Sequence, residues 1–244
     1  MRFEIVALTT LPEVQAGDDI AWLIREAASR EQQAMDGSVM LAIAQKIVSK
    51  AEGAIVDLRK IQPSALARSW AAEWNKDARL IEVILSESRR IVKMDRGVII
   101  AETRHGFVCA NAGVDQSNVQ GEDFATVLPR NPDDSAKRLR ASLGCGALLI
   151  TDTFGRPWRE GLVDVAIGVA GLDPLDDLRG CTDRQGRKLA ATIMAVADQL
   201  AAAAGLVMGK AAGCPVALIR GFEWKPAEGF AGALLRKPEL DLFR

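Results

Sequence analysis

The chain has 244 residues, 49% of them apolar, enough to bury a sizeable core in one large domain or two small ones. Its net charge of −1 and the lack of any basic block exclude nucleic acid as an expected partner. No eighteen-residue stretch is apolar throughout, Met1–Val6 lacks the plan of a signal peptide, and the four cysteines form no CxxC pair, so a cytoplasmic globular protein is expected, without membrane contact, zinc knuckle or disulfide framework.

Phe3 to Leu8 reads as a first strand and Leu11-Pro12-Glu13-Val14 as a loop. Gly17-Asp18-Asp19-Ile20 opens a helix, with an acidic residue placed to cap free amides and with Ile20, Leu23, Ile24 and Ala27 on one face. Asp36-Gly37 is a turn before a strand from Val39 to Ala44. That strand runs into Gln45-Lys46-Ile47-Val48-Ser49-Lys50-Ala51-Glu52-Gly53. The segment has cations that suit phosphate, but it lacks the glycine-rich entry of a P-loop, and its spacing alone reads as solvated lysines. Ile55 to Leu58 is another strand, followed by helices from Ser64 to Trp74 and from Asp77 to Val92. Val98 to Ala101 leads on to a short buried strand, Phe107 to Ala110, beside the only histidine, His105.

Asn111 and Gly113 supply turn chemistry after that strand. Asp115 and Asn118 follow, a carboxylate and a carboxamide three residues apart, which can present hard oxygens to one small ion. On this segment alone, a structural turn with solvated polar groups competes evenly. Asn131 caps a helix that has Pro132 in its first turn and runs to about Leu143. The strand Ala147 to Ile150 then delivers Thr151-Asp152-Thr153-Phe154-Gly155-Arg156-Pro157-Trp158-Arg159. Asp152 is thereby expected at the carboxyl end of a strand, where open sheets bind ligands. Asp115 and Asp152 together would make a Mg²⁺- or Mn²⁺-type oxygen site, and neighbouring Arg156 and Arg159 suit phosphate or carboxylate.

Val165 to Val169 reads as a strand, Gly171 to Arg184 as a loop, and Arg187 to Ala204 as the clearest helix. Gly205 to Gly213 fails as a Walker A sequence, because three residues separate Gly205 from Gly209 and Ala211 stands where Ser or Thr is needed. Its backbone can still approach a nucleotide closely. Val216 to Ile219 is the last strand. The sum is a mixed α/β protein of α+β type, with a sheet that is not purely parallel.

Six ordered segments carry a family likeness: Leu-Pro-Glu-Val with Gly-Asp-Asp (11–19), Gln-Lys-Ile-Val-Ser-Lys-Ala-Glu-Gly (45–53), Asn-Ala-Gly-Val-Asp-Gln-Ser-Asn (111–118), Thr-Asp-Thr-Phe-Gly-Arg (151–156), Ala-Ile-Gly-Val-Ala-Gly (166–171) and Met-Gly-Lys (208–210). In this order they resemble the coenzyme F420-0:gamma-glutamyl ligases, from about Leu11 to Gly221. The resemblance implies a family-specific α/β fold, one ligase domain over the chain, and an intertwined homodimer. It implies a reaction in which L-glutamate is added by γ-linkage to coenzyme F420-0 through an acyl phosphate. GTP would drive it with Mg²⁺ or Mn²⁺, often stimulated by K⁺.

By matching positions, Leu11, Pro12, Glu13, Val14, Gln45, Lys46, Lys50 and Asn118 would touch the nucleotide. The loop Leu206, Val207, Met208, Gly209, Lys210, Ala211, Ala212 and Gly213 would close over it. Asp115 and Asp152 would hold one metal and Thr153 a second. Lys50 would serve the transferring phosphoryl group, Arg156 and Arg159 would orient acidic groups, and His105, if not structural, would take a proton from the incoming amine. Lys210 stands where some relatives carry an acidic residue, which leaves the second metal's surroundings open. The length predicts no added flavin-reductase-like domain of the kind some relatives carry. Two rival readings remain: a ligase for another phosphorylated acid, and a non-catalytic deazaflavin or nucleotide binder. Asp115, Asp152, Thr153 and Lys50 together favour an enzyme.

Overall fold

The computed structural model describes residues 2–117 and 121–241. In chain order, β1 (Glu4–Ala7) is followed by α1 (Ile20–Arg30), β2 (Met40–Ala44), α2 (Gln45–Ala51) and β3 (Ile55–Asp57). Next come α3 (Ala65–Trp74), α4 (Ala78–Glu87), β4 (Ser88–Asp95), β5 (Val98–Thr103) and β6 (Val108–Ala110). β7 (Phe124–Thr126), α5 (Pro132–Leu143), β8 (Ala147–Arg156) and β9 (Arg159–Ala170) lead to the short β10 (Asp176–Asp177) and β11 (Ile193–Met194). α6 (Val196–Met208) and β12 (Val216–Arg220) complete the helices and strands.

The fold is mixed α/β. Its central sheet has the order β1-β12-β2-β8-β9, in which only β2 and β8 run parallel. β2, β12 and the first half of β8 are apolar and buried, as strands covered on both faces must be. Leu41, Ile43, Leu148, Ile150 and Leu218 of these strands share one core with Ile24 of α1 and Leu200 of α6. A second core gathers Trp70 of α3, Ile81 and Ile84 of α4, and Ile99 of β5.

Polar residues set the boundaries and tie the layers. Asp19 Oδ1 accepts the Trp22 N–H at 3.0 Å to start α1, and Asn131 Oδ1 accepts the Asp134 N–H at 3.2 Å to start α5. Asp133 Oδ1 accepts both the Val169 N–H at 2.8 Å and the Ala231 N–H at 2.9 Å, which pins α5 to β9 and to the tail. Gly168 permits that approach, because a Cβ there would lie 2.5 Å from the Pro132 carbonyl oxygen. α6 is tied to the same strand by Asp198, whose Oδ1 accepts the Ala166 N–H at 2.9 Å. That amide sits at the register shift after Ile150, where a bulge takes a residue out of the ladder.

The structure departs from the sequence reading at several places, among them β6, where Val108 and Ala110 are exposed and only Cys109 is buried, and α2, where Lys50 is buried and not solvated. β8 does not stop at Ile150; Thr151 to Arg156 pairs with β9, so Asp152 lies within a strand and not beyond its end. The second helix ends at Glu87 and not at Val92, because the Ser86 and Ser88 hydroxyls bond back to the Val83 and Ile84 carbonyls and the following residues pair with β5. The helix expected from Arg187 to Ala204 starts only at Val196 and runs on to Met208. Ile193 matched its spacing but is exposed and pairs with Asp177. Gln45–Ala51, read as a polar exit from a strand, is a helix with Ile47 and Val48 buried.

Candidate active site

A cavity of about 570 Å³ opens at the carboxyl end of β2, beside the middle of β8, where the parallel pairing of the two strands stops. Its origin lies in the sheet. β2 ends at Ala44, opposite Thr151, and the chain turns at once into α2. β8 carries on, so from Asp152 its edge on that side has no strand beside it among the described residues. The walls come from the loop Leu11–Val14, the start of α2, Asp115, both strands of the β8–β9 hairpin, and the end of α6 with the loop to Pro215.

The charges in the cavity differ in their partners. Lys46 Nζ donates to Asp115 Oδ2 at 2.7 Å and to Ser117 Oγ at 2.6 Å. Burial by itself would raise the Asp115 carboxyl, but Lys46 and the Ser117 donors together hold it below its ordinary value. Asp152 moves the other way. Burial pushes its carboxyl up to about 6, helped by the Asp115 charge and opposed by the Thr153 N–H and the charges of Lys210 and Lys46. Lys50 is buried in the wall, and its ammonium pairs with Glu13. Gln45 is buried beside it and accepts the Ser49 hydroxyl at 2.8 Å. The Thr153 hydroxyl donates to Asp164 Oδ1 at 2.6 Å and accepts from Lys210 Nζ at 2.9 Å. Thr153 and Asp164 are directly opposed in the β8–β9 register, which is why they meet.

Asp152 ionises against both burial and the Asp115 charge, and a hard divalent cation between the two carboxylates would offset that cost. Among the described residues, no three or more His, Cys, Asp and Glu side chains form a complete ligand set. The remaining ligands would be phosphate oxygens and water, as small oxygen-seeking cations commonly take them.

The cavity is lined by Leu11, Pro12, Glu13, Val14, Gln45, Lys46, Lys50, Leu206, Met208, Gly209, Lys210, Ala211 and Gly213, together with Asp115, Asp152 and Thr153. Val207 and Ala212 lie in the same segment but outside the lining. Arg156 and Arg159 bound the hairpin tip, away from the lining, where Arg156 Nη2 donates to the Glu160 carbonyl at 2.9 Å. His105 also stands apart: it stacks on Phe107, and its Nε2 lies 3.0 Å from the Pro129 carbonyl oxygen and 3.2 Å from that of Arg130. Asn118 lies outside the described residues. The sequence reading missed Asp164 and Cys214 in the lining. Asp164 carries no signal until the hairpin register is known, whereas Gly205, read as the start of a glycine-rich loop, lines the cavity from inside α6.

The fold and cavity define an α/β protein with a candidate ligand site where its parallel strand pairing ends, lined by carboxylates and lysines. The chain belongs to the F420-0:Gamma-glutamyl ligase family, whose sequence profile matches residues 9–221. It is 48% identical over 253 residues to the coenzyme F420:L-glutamate ligase of Methanothermobacter thermautotrophicus, with all of both chains covered. It is 47% identical over 256 residues to the enzyme of that name from Methanopyrus kandleri, covering all of this chain and 98% of the other. With the one from Methanocaldococcus jannaschii it shares 43% over 215 residues, covering 86% of this chain and 85% of the other.

Proposed function

We propose that the protein is a ligase that joins L-glutamate through its amine to the carboxylate of coenzyme F420-0, consuming GTP and releasing GDP and phosphate, and adding further glutamates in turn by γ-linkage. One observation carries this reading: Lys46 and Lys50 of α2, Asp115 and Asp152, from three separate segments, converge on one cavity in a family member that matches a curated relative end to end.

An amide cannot form from a free carboxylate without a leaving group. Phosphorylation of the acceptor's carboxylate supplies one, as an acyl phosphate. Lys50 and Lys46 meet the nucleotide's phosphates as compact point charges. Asp115 and Asp152 would hold Mg²⁺ or Mn²⁺, which when bound would supply positive charge to the transferring phosphoryl group, with K⁺ adding to the field. The segments Leu11–Val14 and Leu206–Gly213 wall in the nucleotide and keep water from the acyl phosphate. The ammonium of glutamate gives up one proton to water, and the free amine attacks the acyl carbon; a C–N bond forms, the C–O bond to phosphate breaks with its electron pair leaving on phosphate, and the nitrogen's second surplus proton goes to the departing phosphate. A homodimer is part of this reading. Trp158 at the hairpin tip is 79% exposed and Leu162 is 65% exposed, a clustering of apolar surface that a second copy would cover.

The test is direct. Purified protein is incubated with F420-0, glutamate, Mn²⁺ and either GTP or ATP, and the acceptor is weighed by mass spectrometry. Stepwise addition of glutamyl units with GTP is expected. An acceptor unchanged in mass with every nucleotide overturns the reading.

A further inference from the structure

We propose that Asp164, oriented by Thr153 and given room by Gly205, binds the ammonium group of the amino-acid substrate. This rests on the ligase reading above and names the group that recognises the second substrate.

The cavity lining carries Glu13, Asp115, Asp152 and Asp164 against Lys46, Lys50 and Lys210. Glu13 is taken by Lys50, and Asp115 by Lys46. Asp152 is the buried carboxylate of the proposed cation site. Asp164 is left. Among the described residues it has no ion-pair partner, and only its Oδ1 is bonded, to the Thr153 hydroxyl at 2.6 Å. Oδ2 remains for a donor from the cavity.

The opposite wall is shaped around that oxygen. Gly205 lies inside α6, directly after Ala201–Ala204. Glycine is a poorer helix former than alanine. An alanine Cβ at this position, however, would stand 2.4 Å from Asp164 Oδ2 and 2.9 Å from its Cγ. The helix thus forgoes its better residue at the one place where a methyl group would drive the carboxylate out of the wall.

The chemistry favours an ammonium over a second divalent ion. Lys210 Nζ sits 2.9 Å from Thr153 Oγ1, so this wall already accommodates a primary ammonium, and that charge opposes a divalent ion at the same carboxylate about twice as strongly as a second ammonium. Glutamate offers two carboxylates and one ammonium. A single acidic group beside the phosphoryl site aligns its nitrogen while the carboxylates stay clear of the metal-binding aspartates.

The experiment compares wild type, Asp164→Asn and Gly205→Ala with F420-0, GTP and Mn²⁺. Each is assayed with glutamate and, separately, with hydroxylamine, an uncharged nucleophile that traps acyl phosphates as hydroxamate. Both variants should raise KM for glutamate about 10- to 100-fold, the scale of one hydrogen bond to a charged group. KM for GTP, Mn²⁺ affinity by calorimetry and the yield of hydroxamate should stay within a few-fold of wild type, and Gly205→Ala should melt no lower than wild type. A wild-type KM for glutamate in Asp164→Asn overturns the proposal. So does a fall in Mn²⁺ affinity or hydroxamate yield in that variant, which would move Asp164 into the phosphoryl machinery. Wild type that forms neither product nor hydroxamate defeats the ligase reading instead.

Discussion

The Lys50 ammonium and the Glu13 carboxylate form an ion pair that joins α2 to the loop ahead of α1. The lysine side chain is 10% exposed and the glutamate side chain 66%, so one end of the pair is fixed in the cavity wall and the other is in solvent. A pair with so exposed a partner opens at little cost. The lysine is therefore held in position before any phosphate arrives.

Lys50→Ala is expected to lower turnover at saturating GTP by about two to three orders of magnitude, the scale of losing one preorganised donor to a transferring group. Steady-state kinetics with metal in excess measures it. Unchanged turnover with a raised KM for GTP would confine Lys50 to anchoring the ground state.

Asp152→Asn separates cation binding from stability. The Asp152 carboxyl moves from 3.8 to about 6 on folding. Between those values the folded chain binds more protons than the unfolded one, so stability falls as pH rises through that window and the full penalty stands above it. Removing the charge removes the penalty. Metal-free Asp152→Asn should exceed wild type in stability by about 1–3 kcal/mol near pH 8, with the gain closing toward pH 4. Its Mn²⁺ affinity should nevertheless collapse. Urea melts at the two pH values and calorimetry supply both readings, and Mn²⁺ binding equal to wild type would take Asp152 out of the cation site.

The exposed apolar residues of the β8–β9 hairpin predict self-association. Light scattering should give the mass of two chains, and the double variant Trp158→Ser, Leu162→Ser should shift it toward one. A wild-type monomer with full activity at the same concentration would speak against the dimer.

Asp133 accepts two backbone amides, from Val169 and Ala231. Asp133→Ala leaves both without that acceptor and should cost about 2–4 kcal/mol of folding stability, taking about 1–2 kcal/mol for each charge-assisted bond. Denaturant unfolding checks the loss. A change under about 0.5 kcal/mol, the range of ordinary surface substitutions, would mean that solvent replaces the carboxylate without cost.

What the sequence made legible was local. Asp19 as a cap, Asn131 with Pro132, and the apolar runs of β2 and β12 state their own structure within a few residues. The segments of the cavity were also readable, because loop 11–14, the residues after β2 and those around Asp152 have distinctive polar compositions. What stayed hidden depends on pairing. That β8 runs on to Arg156 follows from β9 lying beside it, and only that register brings Asp164 opposite Thr153. The true start of α6 was masked because Leu189 and Ile193 mimic a helical stripe while lying in an exposed arm.

β12, last of the strands in sequence, is inserted between β1 and β2 in the central sheet. Among the described strands, β1 has no other neighbour, so the two ends of the chain are joined by its final strand. A nascent chain on the ribosome can therefore carry Asp115, Asp152 and both proposed phosphate-binding lysines and still have an open sheet and no finished cavity. Closing so long a loop is slow compared with forming helices. Each molecule should become competent in one late step after synthesis, and fragments that end before Val216 should bind no nucleotide however many of the polar residues they retain.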